Sequence, residues 1–271
     1  MKAATIVPQP YLSLIAEDDY HLALAHLVLE EGYEEYTAFY EKVGYDPSKF
    51  LILDNGVIEG KPQPIQKILE KAAHVHADEI VLPDVFQNRY ATLANAYEAI
   101  EVFYSLGYMW SDVRLMVVPQ GKDFDEWLSC AREMLKWPIN TLGIPKVLVK
   151  MAGRDGRLIA LQALQEELQQ RPDVAIHLLG CWESPLEAKV IENAIRAKRI
   201  APVRGIDSAI AYVYARAGML ISEGPRPSGS IDFAASDADE RLLSTNIDIW
   251  RNETASLPSI GDNGSNVIRL F

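Results

Sequence analysis

Cysteine is scarce in this chain: two residues, Cys130 and Cys181, among 271. Two such distant thiols cannot build a disulfide framework, and they lack the paired short spacing of a zinc ribbon or knuckle. No run approaches the ~20 apolar residues that cross a bilayer, and the N-terminus has no basic stretch followed by an apolar core. Neither membrane insertion nor secretion is expected, and a reducing, cytoplasmic setting is the simplest inference. Basic residues are also short, 26 Lys and Arg against 38 Asp and Glu, which gives a net charge of −12. That excludes a protein gripping a nucleic-acid backbone over its whole surface, because such affinity comes from cations displacing counterions. A local basic strip stays open: Arg196, Lys198, Arg199 and Arg204 gather ahead of Gly205, with Arg216 and Arg226 beyond. They read equally as a solvated helix end and loop or as a phosphate site. Internal repeats and low-complexity tracts are missing too.

What is there is an ordinary globular composition, 49% hydrophobic and 24% charged, in a chain long enough for one large core. Apolar runs that read as buried strands fall at residues 4–7, 50–53, 79–82, 114–118, 141–144, 175–179 and 201–206. Helical patterns, with apolar residues three and four apart, fall at 20–31, 64–73, 91–106, 124–135, 158–170 and 185–197. Ser184 followed by Pro185 looks like a capped helix start. Strands alternating with helices predict a parallel sheet, and at this length a closed (β/α)8 barrel of the TIM type in the α/β class. One barrel domain is expected over residues 1–222, with a short eighth strand at 218–222. Residues 223–271 turn to Gly, Pro, Ser, Asp and Asn and read as a loop, lid or surface connection followed by an irregular tail. Trp250 and the closing Val267-Ile268-Arg269-Leu270-Phe271 would tuck that tail onto the barrel.

In such a barrel the active site lies at the C-terminal strand ends, so polar residues just past apolar runs are the candidates. Asp54, Asp84, Gln120, Gly143, Gly180 and Asp207 all qualify. A lone Asp there is more often a helix cap or turn former, but three in one fold point together to chemistry. Carboxylates sharing a pocket are pushed to different pKa values, so one can attack while another carries a proton. That division suits displacement at a sugar carbon, with Asp207 the best nucleophile candidate; a sugar hydrolase could use the same pair. The Gln120 amide and the backbone beside Gly143 can match the donors and acceptors of a purine, and Asp84 can accept from its N1–H and exocyclic amine. His177 reads as a buried strand histidine hydrogen-bonded to backbone, and His74 and His76 as residues of a helix end.

Asp54 in Ile52-Leu53-Asp54-Asn55-Gly56, Asp84 in Val81-Leu82-Pro83-Asp84, Gln120 and Gly121 in Val118-Pro119-Gln120-Gly121, and Gly143 in Leu142-Gly143-Ile144 stand in the order of a known family. His177-Leu178-Leu179-Gly180, then Pro185 and Glu187, then Gly205-Ile206-Asp207-Ser208-Ala209 before a tyrosine-rich stretch, continue it. Together they resemble guanine transglycosylases over about residues 51–216, the last motif being similar to the archaeosine branch. The resemblance implies base exchange: guanine is cut from a nucleic acid and a 7-deazaguanine such as preQ0 takes its place on the same sugar. It assigns Asp207 as nucleophile, Asp54 as general acid/base, and Asp84, Gln120, Gly121 and Gly143 to base recognition; no cofactor is expected, and with no cysteine beyond Cys181 no metal either. Arg204, Arg216 and Arg226 would meet the nucleic-acid backbone. The chain departs from the tRNA enzymes in lacking their Cys/His zinc site, their appended RNA-binding domain and the glycine-rich run after the acid/base, where Asn55 and Val57 stand. It most resembles the phage-type members that act on DNA, which implies DNA as partner, the host cytoplasm as setting and other proteins as helpers. Exchange on tRNA, and a noncatalytic barrel that binds a base or nucleic acid, are the alternatives.

Overall fold

A parallel strand with helices on one side and a barrel interior on the other must be apolar on both faces, and the eight strands here are three to five residues long and almost wholly buried. They are β1 (Lys2–Thr5), β2 (Tyr20–Leu24), β3 (Phe50–Asp54), β4 (Glu79–Val81), β5 (Arg114–Val117), β6 (Thr141–Pro145), β7 (Ala175–Leu179) and β8 (Gly205–Ser208). The computed structural model describes residues 1–107, 112–181 and 185–255. All pairings are parallel, in the order β1-β8-β7-β6-β5-β4-β3-β2. β1 and β2 then lie side by side and nearly close a (β/α)8 barrel, although no ladder joins them among the described residues. The helices are α1 (Glu34–Tyr45), α2 (Ile65–Val75), α3 (Arg89–Ser105), α4 (Phe124–Met134), α5 (Leu148–Ala152), α6 (Gly156–Ala163), α7 (Gln165–Gln170), α8 (Leu186–Arg196), α9 (Ile210–Arg216) and α10 (Glu240–Thr254). Among the described residues no helix is long and apolar enough to cross a membrane.

The eighth strand is not at 218–222, which is turn and irregular chain, but at β2, inside the stretch whose spacing predicts a helix over 20–31. In Tyr20-His21-Leu22-Ala23-Leu24 every residue is buried, so neither period shows, and a short apolar run does not distinguish strand from helix. The helix expected over 158–170 is two, α6 and α7, meeting at Leu164. The region expected to be irregular contains the 15-residue α10, packed on α8, α9 and β1. Asp239 caps it, its side chain accepting from Leu242 N at 2.8 Å. Trp250 is fully buried on its inner face. Asn246 from the same face donates to Met219 O at 2.9 Å and accepts from Ile221 N at 3.0 Å, tying down the 218–222 turn. Ser184 and the tail 267–271 lie outside the described residues; Pro185 immediately precedes α8.

The N-terminal end of the barrel is filled by a charged plug. Glu79 at the start of β4 is fully buried and accepts from Arg204 Nη1 at 2.9 Å, Thr141 Oγ1 at 2.6 Å and Arg114 Nε at 3.3 Å. The Arg204 guanidinium lies 4.8 Å over the Phe50 ring and donates through Nε to Tyr20 Oη at 3.1 Å. Arg204 is therefore no backbone-binding residue: it precedes its strand, and in a parallel barrel that places it at the end opposite the active-site face.

A candidate active site at the C-terminal mouth

The strand ends converge on a cavity of about 400 Å³, lined among others by Asp54, Asn55, Asp84, Gln120, Lys146 and Asp207. Five of the expected site residues meet here: Asp54 ends β3, Asp84 and Gln120 follow β4 and β5, Asp207 lies within β8, and Arg226 follows α9. Asp207 Oδ1 accepts from His177 Nε2 at 3.0 Å and from Gly180 N at 3.1 Å; among the described residues Oδ2 accepts nothing. The turn at Gly180 is itself fixed. The fully buried Arg157 donates to Gly180 O at 2.7 Å and through Nε to Glu187 at 2.7 Å, which tethers the end of β7 to α8. One residue on, Ser208 Oγ accepts from Ile210 N at 3.1 Å and starts α9.

Asp54 Oδ2 accepts from Gly56 N at 3.0 Å. Burial, then the negative charge of Glu59, and further Asp207 and Asp84, hold the Asp54 carboxyl well above the ordinary carboxylate range, against the lowering effect of the Gly56 N–H. Gly56 makes the turn: φ is +76°, and a Cβ would stand 2.5 Å from Lys61 O. Asn55 donates to Leu82 O at 2.8 Å and Asp84 Oδ1 at 2.6 Å, and its own Oδ1 accepts from Val57 N at 3.1 Å. Asp84 Oδ2 takes a second amide hydrogen from Gln120 Nε2 at 2.5 Å. Burial nevertheless pushes Asp84 up to about 6, against the lowering effect of the Asn55 and Gln120 donors. Gln120 Oε1 accepts from Gln87 N at 3.2 Å, which fixes the amide. Asp84 and Gln120 thus present an ordered carboxylate–amide edge to the cavity.

No family model matches the chain, and no curated protein matches it.

The remaining expectations divide. Gly121 is not at the cavity; it lies under the first turn of α4, where a Cβ would collide with Trp127 N. Gly143 sits mid-strand opposite His177, its backbone in the ladder and its bare Cα facing Leu179, Met116 and Val118 at 2.9–3.1 Å from an ideal Cβ. Its peptide is not exposed for a base to read. Arg216, in the last turn of α9, donates to Ser230 O at 2.6 Å and covers the Tyr212 ring, away from the cavity. Arg226 does line the cavity. His177 binds a carboxylate and a phenol rather than backbone, and His74 and His76 stand in the last turn and C-cap of α2.

Sequence reading does not single out Glu59, Lys146 or Lys150, which also line the cavity. Lys146 directly follows Pro145 of β6, the strand-end position that flags the acids, but a lysine there carries no acid or amide signal. Burial, then the Arg226 charge, lowers its pKa, while Asp207 and Glu59 oppose the shift. With four carboxyls and three cations among its lining residues, the cavity can bind a polar, partly anionic ligand, and the raised pKa of Asp54 favours its acid form more than in an ordinary carboxyl.

Proposed function

We propose that this chain is a base-exchange glycosyltransferase that removes guanine from DNA and installs a 7-deazaguanine such as preQ0. The observation that carries the reading is the convergence, in one cavity, of Asp207, whose Oδ2 accepts nothing among the described residues, Asp54 with its raised pKa, and the Asp84–Gln120 edge. The order of motifs along the sequence, and the shortage of cysteine, support the same family and its DNA-directed branch. The target nucleotide leaves its stack and enters the cavity, whose volume is in the range of small-molecule sites. Asp207 Oδ2 attacks C1′, forming a C–O bond as the C1′–N9 bond breaks, and Asp54 gives its proton to the departing guanine. The incoming base then loses its N9 proton to Asp54, and N9 displaces Asp207 from C1′ with net retention. Asp84, as carboxylate, accepts the N1–H and exocyclic amine of either base, with the Gln120 amide beside it. Lys146, Lys150 and Arg226 at the mouth face the flanking phosphates.

Incubation of the protein with labelled guanine and either DNA or tRNA tests this. Label should enter DNA with the wild type and not with Asp207→Ala, and Asp54→Ala, which lacks the proton donor for the departing guanine, should block completion of exchange. Label entering tRNA alone would keep the chemistry and reverse the substrate; no label in either, with intact base binding, would favour a noncatalytic barrel.

A further inference from the structure

A single file of buried polar side chains crosses the barrel interior from the charged plug to the cavity. Arg204 Nε lies 3.1 Å from Tyr20 Oη, Tyr20 Oη lies 2.8 Å from His177 Nδ1, and His177 Nε2 lies 3.0 Å from Asp207 Oδ1. Tyr20 and His177 are at most 1% exposed. The path is built, since Gly205 leaves the space the tyrosine occupies: a Cβ there would stand 2.5 Å from Tyr20 Cε1. Phe50 stacks on the other side of the ring, with centroids 5.6 Å apart and planes 13° apart.

The donor direction along the file follows from chemistry. Arginine has N–H groups and no acceptor, so Arg204 donates to the Tyr20 oxygen. The one phenolic hydrogen then points to Nδ1, the other partner of that hydroxyl among the described residues. A protonated Nδ1 would strand this hydrogen in the interior, a costly arrangement. Nδ1 therefore accepts, the neutral ring carries its hydrogen on Nε2, and that hydrogen meets Asp207. Burial raises the Tyr20 pKa and keeps the hydroxyl hydrogen in place.

We propose that Tyr20 and His177 are positioning residues for Asp207: the file sets His177 as the Nε2–H tautomer, ties down Oδ1 together with Gly180 N, and turns Oδ2 to the substrate. The consequence for turnover rests on the base-exchange reading; the tautomer and its dependence on Tyr20 do not.

The decisive experiment is a two-bond proton–nitrogen correlation spectrum of the unliganded, histidine-labelled protein, with His177 assigned by its loss in His177→Gln. The wild type should show the neutral His177 ring as one tautomer, protonated at Nε2 and bare at Nδ1. Tyr20→Phe removes only the hydroxyl and should give a mixture of tautomers. In the exchange assay the same variant should lower kcat by about ten- to hundredfold, as loss of an orienting partner does elsewhere, with KM nearly unchanged. A wild-type ring protonated at Nδ1, or a Tyr20→Phe protein with unchanged tautomer and kcat, would overturn the proposal. If Tyr20→Phe does not fold, the wild-type spectrum alone decides. An inactive wild type with the expected spectrum would support the tautomer and remove only the base-exchange reading.

Discussion

Asp84 sits between two amide donors, one on each oxygen, and still titrates near 6 because the cavity wall excludes water from it. The folded state thus holds this proton more tightly than the unfolded chain, whose aspartates titrate near 3.8. From about pH 4 to 6 the unfolded chain has already released what the folded chain retains, so stability falls as pH rises through this window. The contribution is about 3 kcal/mol, present in full below pH 4 and gone above 6. In the proposed function base recognition would run the other way, because only the carboxylate accepts from N1–H and the exocyclic amine. Guanine affinity measured by calorimetry should therefore rise with pH through about 6, and Asp84→Asn should lose both that rise and this component of the urea-unfolding profile. The residues of the site were legible where chemistry and strand direction agree: Asp54, Asp84, Gln120 and Asp207 each stand at the C-terminal end of the barrel. Arg204 misleads because its charge is visible in the sequence and its end of the barrel is not. The partnership of His177 and Tyr20 spans 157 positions along the chain and depends on the register that sets His177 opposite Gly205.

Helix α10 illustrates what an element can hide. Leu243, Ile247 and Trp250 recur at helical spacing, and Asp239 is a good N-cap, yet the polar, glycine- and proline-rich approach to it reads as loop. Its packing depends on that narrow stripe against α8, α9 and β1. Asp239→Ala should cost about 1 kcal/mol in urea unfolding, and Trp250→Ala, which empties a fully buried ring site, about 3–5 kcal/mol. A Trp250→Ala cost under about 1 kcal/mol would mean that α10 is not integral to the fold. β2 shows the reverse difficulty. Burial on both faces erases alternation, so the apolar run is visible while its secondary structure is undecided. By contrast α2 and α4 each present one apolar face to the barrel and were readable almost to the residue.

At the scale of the whole molecule a net charge of −12 surrounds a mouth that carries Lys146, Lys150 and Arg226. Association with DNA should therefore depend on few ion contacts. The slope of log affinity against log salt is expected at about −2 to −3, close to −0.9 for each phosphate neutralised, and Lys150→Ala should flatten it by about one. A slope near −6 would require a basic surface outside the cavity mouth. The closed barrel was legible from the alternation of strands and helices, but the strand at its seam was not, because β2, which meets β1 there, lies in a run that reads as helix. That seam has a kinetic meaning. Among the described residues β1 forms a strand ladder with β8 alone, about two hundred residues further along the chain, and β8 bears Asp207. Pairing so distant in sequence is slow to form. During refolding from urea, guanine binding should return with the last fluorescence phase, and a growing chain should acquire its reactive carboxylate only when its earliest strand finds its final one.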